Sequence, residues 1–150
     1  MSKFKFRLAT LLRLREETRD ERRAELAEAY RVDDLLQQQL EQMDQQRRTL
    51  VERCRKAVGP GSVDVDLLVE AQRFDLTLKA HRKQLEGQRE QVAVEIERRR
   101  EVLVAANREV RVLEKLREKQ SQRHREEENR REAKQLDEAA VLTVAREMVR

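Results

Sequence analysis

The stretch RCRKAVGPGSVDVDLL, residues 53–68, decides how the rest of the chain is read. It holds the chain's one proline, Pro60, and two of its three glycines, Gly59 and Gly61. Proline cannot continue a helix and glycine supplies backbone geometry that other residues avoid, so the chain reverses here. Just beyond, Ser62 or Asp64 is placed to cap a new helix, with Asp64 and Asp66 in its positive first turn. On both sides of this punctuation the sequence is long, polar and nearly free of breakers.

With 43% charged residues, 3% aromatic and a mean hydropathy of -0.94, these 150 residues cannot enclose a thick core. That composition leaves a long helix or coiled coil on one side and a disordered polyampholyte on the other, and periodicity decides between them. Before the turn, spacings of 3 and 4 pick out Leu8, Leu12, Arg15, Arg19, Arg22, Leu26, Ala29, Asp33, Leu36, Leu40, Met43, Arg47, Leu50 and Cys54. After it they pick out Leu67, Ala71, Phe74, Leu78, His81, Leu85, Gln88, Val92, Ile96, Arg99, Leu103, Ala106, Val110 and Leu113, with an extra spacing of 4 at Val92–Ile96 that reads as a stutter. If the chain folds back, facing residues have numbers of nearly constant sum. Leu8 with Leu113, Leu12 with Val110, Leu26 with Ile96, Leu36 with Leu85, Met43 with Leu78 and Leu50 with Ala71 all sum to 121 or 122.

Two seams in one register point to an all-α fold: a long antiparallel two-helix coiled-coil hairpin with an overhanging C-terminal helix. The single domain, 1–150, comprises a helix over about 4–58, a turn over 59–63 and a helix over about 64–146. In this register Phe4 meets Arg117, so from about Lys119 onward the second helix has no partner in the chain. Residues 114–138 carry eight basic and eight acidic side chains, a neutral surface suited to an exposed helix. Beyond them Val141, Leu142, Ala145, Met148 and Val149 form an apolar stripe that nothing in the chain covers. It is either a frayed tail or a helix that docks on another protein.

Catalysis needs convergent groups in an enclosed pocket, which a two-helix rod does not offer, so no enzyme is expected. His81 falls on the seam and His124 in the overhang, with no ligand spacing around either, so neither metal nor cofactor is expected. Cys54, facing Leu67, reads as a packed thiol, and a lone cysteine agrees with a reducing compartment. No apolar run is long enough to span a bilayer, and no secretory signal is present. Residues 3–23 hold eight cations against four acids, but the two signs are interleaved, and nucleic-acid binding is not expected.

FKFRLATLLRLREETRDERRAELAEA at the N-terminal end, the glycine-containing turn near position 60 and LEKLREKQSQRHREEENRREAKQLDEAA toward the C-terminus together resemble the FliJ family of bacterial flagellar export proteins. The resemblance implies an antiparallel coiled-coil hairpin like the central stalk of rotary ATPases, working in flagellar type III export at the cytoplasmic face of the cell membrane. It implies that the end carrying both termini enters the hexameric export ATPase, FliI, and promotes its assembly and activity. By position that surface is Phe6, Arg7, Leu11, Arg13, Arg15 and Glu16, with Leu116, Arg117, Arg123, Arg130, Arg131, Lys134, Leu136, Asp137 and Glu138. The resemblance also implies contact with the export gate protein FlhA through Gln39, Met43, Gln46, Leu50, Phe74, Leu78, His81 and Leu85, and escort of export chaperones. Some relatives have aromatic residues where this chain has Gln46 and Leu50, and several residues of this second set are also seam positions. The stalk of a virulence-type injectisome and a generic coiled-coil scaffold share the same periodicity.

Overall fold

The computed structural model describes residues 3–59 and 61–149; Pro60, within the expected turn, lies outside the described residues. The chain is all-α apart from a short hairpin at the turn, in the order α1 (Ala9–Ala57), β1 (Val58–Gly59), β2 (Ser62–Val63) and α2 (Val65–Met148). It divides into two compact units. One is Glu21–Leu103, and the other joins Met1–Asp20 to Val104–Arg150.

In the unit Glu21–Leu103 the reversal is a β-ladder in which Val58 pairs with Val63 and Gly59 with Ser62. Gly61 has φ +110°, a backbone that a Cβ disfavours. Asp64 rather than Ser62 caps α2: its Oδ1 accepts from the Leu67 N–H at 3.2 Å. Arg55 and Lys56 in the last turn of α1 complement the helix dipole. The buried apolar side chains of this unit are Ala29, Leu40, Met43, Ala71, Leu78, Leu85 and Ile96. Leu40, Met43, Leu78 and Leu85 form one cluster, with Leu36 packed against it. Every one of these is a seam residue of the expected register.

The seam of α2 departs from the expectation at alternate layers. Phe74, His81 and Gln88 are exposed, and Asp75, Arg82 and Arg89 are the half-buried residues. With those three in place the spacing from Ala71 to Val110 alternates between 4 and 3 throughout, and the stutter at Val92–Ile96 does not exist. A search for apolar positions passes over these charges because their partners are on the other helix. Asp75 pairs with Arg47 at 3.1 Å, Arg89 with Asp33 at 2.9 Å, and Arg82 with Asp44. The two arginines expected to oppose each other, Arg22 and Arg99, separate in the same way. Arg22 bonds Glu25 at 3.0 Å, while Arg99 bonds Glu95 at 2.8 Å and donates to the Glu25 carbonyl.

In the other unit α1 begins at Ala9, whereas the periodicity placed its start near residue 4. Residues 3–7 are not helical. Phe4 and Phe6 are half-buried while Lys3, Lys5 and Arg7 are exposed, the period-2 burial of an extended chain. The Ala9 N–H donates to the Phe6 carbonyl at 3.2 Å where the helix starts. An extended residue advances about 3.3 Å and a helical one about 1.5 Å, so four extended residues run past roughly nine positions of α2. The Phe4 ring accordingly lies 5.8 Å from that of His124, not beside Arg117. Half-buried positions on α2 continue through Ser121, His124 and Glu128, and full exposure begins at residue 129, ten residues later than the helical register gives. Leu12, Ala106 and Val110 are the buried apolar residues here, Val110 being the most enclosed at 2% exposed.

Two glycines are expected to respond with opposite sign. A Cβ at Gly87, mid-helix in α2, meets nothing within 4 Å. Gly87→Ala should raise the stability by up to about 1 kcal/mol, and Gly61→Ala should lower it by about the same, both read from thermal melts followed by circular dichroism.

Glu95 gives a pH dependence. Hydrogen bonds from Arg98, then from Arg99, hold its carboxyl at about 2. A carboxylate with a depressed folded-state pKa contributes stability above its unfolded value that is lost as pH falls toward the folded one. The difference in melting temperature between wild type and Glu95→Gln should be fullest near neutrality, shrink below about pH 4.5 and be nearly gone at about pH 2.

Candidate functional site

The residues expected to bind partners fall into the two units without overlap. All eight of the second set lie in Glu21–Leu103, and all fifteen of the first set lie in Met1–Asp20 with Val104–Arg150.

Within Glu21–Leu103 the eight divide by burial. Met43, Leu78 and Leu85 belong to the core cluster at 9%, 8% and 4% exposed, and have no surface to offer a partner. Gln39, Gln46, Phe74 and His81 are exposed and Leu50 is half-buried. Gln39 and Gln46 are seven residues apart on α1, as are Phe74 and His81 on α2, and each directly precedes a seam position. Both pairs therefore border the seam on the same side. An open groove draws Gln46, Leu50 and Phe74 together with Thr49, Arg53 and Glu70. Phe74 is 47% exposed at its edge, a large apolar side chain with a face free for contact.

In the other unit, Phe6, Glu16 and Leu116 are half-buried, whereas Arg7, Leu11, Arg13, Arg117, Arg123, Arg130, Arg131, Lys134, Leu136, Asp137 and Glu138 are exposed. Arg15 is engaged with Glu109 at 2.9 Å, and Arg131 with Glu128 at 3.5 Å. At about 100° per residue, Leu116, Arg123, Arg130, Lys134 and Asp137 share a strip of about 60° on α2, Arg131 and Glu138 lie just beside it, and Leu136 points the other way. Arg123, Arg130 and Lys134 have no ion pair among the described residues, so this row presents three unpaired cations with Asp137 among them. The same strip runs on into Val141, Val144 and Met148, which with Ala140 and Ala145 line an apolar concavity on the exposed end of α2. Val141, Ala145 and Met148 belong to the expected apolar stripe and Ala140 and Val144 do not; the 3-and-4 spacing of Arg130, Lys134 and Asp137 extends to Val144.

Among the described residues no group of three His, Cys, Asp or Glu side chains could hold a metal ion, and no helix is long and apolar enough to cross a membrane. Cys54 is a free, half-buried thiol beside the seam.

No curated relative and no solved structure matches the chain to a significant degree. The family model for the flagellar FliJ protein matches residues 4–148. That span includes both helices, the turn and both sets of surface residues, so the chain belongs to the FliJ family, a non-catalytic component of flagellar type III export.

Proposed function

We propose that the chain acts as a central stalk for the flagellar export ATPase. The unit that carries both ends of the chain enters the hole of the FliI hexamer and promotes its assembly and activity. The flank bearing Gln39, Gln46, Phe74 and His81 contacts the export gate protein FlhA, which links ATP hydrolysis to the gate at the cytoplasmic face of the membrane. The observation that carries this reading is the state of α2 beyond Glu128. Residues 129–149 are exposed throughout, yet α2 continues to Met148. A helix without tertiary packing is marginal in water, so one retained over five turns is suited to cover by another protein.

The surface chemistry fits a shaft. Cations and acids alternate along α2 from Glu114 to Glu138, with little apolar area to lock it in one orientation. The unpaired cations Arg123, Arg130 and Lys134 are matched to carboxylates lining a pore. The seam residues Met43, Leu78 and Leu85 serve the gate flank indirectly by holding Phe74 and Gln46 at its edge.

Reversing Arg130, Arg131 and Lys134 together to Glu should cut stimulation of the hexameric ATPase by about tenfold, since each exposed cation steers and holds an acidic partner. Circular dichroism should be unchanged, because none of the three is buried. A helical, monodisperse variant that stimulates normally would sink the stalk reading. Independently, Phe74→Ala should weaken binding to the cytoplasmic domain of FlhA by about tenfold while leaving ATPase stimulation intact.

A further inference from the structure

The flank opposite Gln46 and Phe74 carries a second groove, which shares Leu50, Cys54 and Ala71 with the first and opens on the side that neither proposed partner uses. It is open, about 640 Å³, and lies between the end of α1 and the start of α2. Its floor is apolar: Leu50, Val51 and Cys54 from α1, Val58 from β1, and Leu68 and Ala71 from α2. The groove exists because the seam narrows here. Cys54 and Ala71 are small, so the helices leave uncovered the side of the layer on which Val51 and Val58 stand, 45% and 57% exposed.

The rim is charged with one sign in excess. Arg47 and Arg55 line the groove, and Arg48 stands on its outer edge beside Val51. Asp75, the acid within the groove, is already held by Arg47 at 3.1 Å and Lys79 at 3.1 Å. Asp44 and Glu52 lie on the outer edge as well, which leaves four cations against three acids, and Asp44 is already held by Arg82. Arg48 and Arg55 have no ion pair among the described residues.

We infer that this groove is a docking site for one amphipathic helix of another protein, with a narrow apolar stripe flanked by acidic residues. The apolar floor from Leu50 to Val58 spans about 12 Å, just over two turns of a bound helix at about 1.5 Å per residue. The bound helix completes a local three-helix layer over Val51 and Cys54, the packing that anchors at i, i+3 and i+7 provide. Acidic flanks meet Arg48 and Arg55, and basic flanks are repelled, so the rim sets specificity as well as rate. A second copy of this chain is a poorer occupant, because its most exposed helix, α2 beyond Glu128, carries the unpaired cations Arg130 and Lys134 on the strip that continues into its apolar end.

The test uses the full chain and two synthetic helical peptides of about 14 residues, identical in their leucine stripe, one flanked by Glu and the other by Lys. Fluorescence anisotropy should show the Glu-flanked peptide binding, its affinity falling about tenfold or more in Arg48→Glu and with added salt, and the Lys-flanked peptide binding far more weakly. Val51→Asp should abolish binding while helical content and ATPase stimulation remain those of the wild type. Equal binding of the two peptides, no binding of either, or full affinity in both variants would overturn the assignment. So would sedimentation showing that the chain self-associates and that Val51→Asp alone makes it monomeric, since the groove would then be covered by a second copy.

Discussion

A pair of helices can bury only the side chains that face each other, and the register in which α1 and α2 meet governs everything else in the molecule. All ten buried apolar residues are seam residues, and the β-ladder at the turn holds the same relation, Val58 with Val63 and Gly59 with Ser62. A slip of one position would turn Leu40 and Leu85 outward and separate Asp33 from Arg89 at once. Apolar burial sets how strongly the helices adhere, and the ion pairs set where. Exposed ion pairs contribute only about 0 to 1 kcal/mol each, so their main effect is to penalise wrong registers rather than to deepen the right one.

The seam is legible because its apolar members repeat, and every buried apolar residue among those described is one of them, down to Ala29, Ala71 and Ala106, although Leu8, Leu67 and Phe74 of the same expected seam are exposed. The charged layers were not legible. Asp75, Arg82 and Arg89 resemble surface residues in the sequence, since nothing local reveals that Arg47, Asp44 and Asp33 await them on the other helix. The apolar spacing therefore selects their neighbours Phe74, His81 and Gln88, and an apparent stutter follows. The N-terminal segment failed for a different reason. KFKFR alternates at period 2, a strand-like pattern five residues long, while the seam's spacing of 3 and 4 was extended back through it to Phe4. Packing of the Phe4 ring against His124 of α2 accompanies the extended segment there, and the start of the uncovered helix moves from about Lys119 to residue 129.

Of the surface sets, what the resemblance supplied was position, and burial then sorted the residues. Met43, Leu78 and Leu85 pack internally, while Gln46 and Phe74 stand beside them at the edge of the same layers. No feature of one sequence distinguishes a seam residue conserved in role for packing from one that touches a partner, because both recur at the same spacing. Only the fractional exposure of each, 47% at Phe74 against 4% at Leu85, separates the two.

The seam also leaves a debt of uncovered apolar surface. Among the described residues more large apolar side chains are exposed than buried, and some of them form local patches: Val51 and Val58 on one flank, Phe74 on the other, and Val141, Val144 and Met148 on the end of α2. A fold with so thin a core has a modest stability of its own. Each partner that binds only the folded chain adds to it, by about 2.7 kcal/mol when present at a hundredfold excess over its dissociation constant. The apolar area missing from the core is thus placed where assembly can bury it. A partner that covers one of these flanks would thus couple its own binding to the stability of the chain, and on the proposed reading the charged rows between the patches select it.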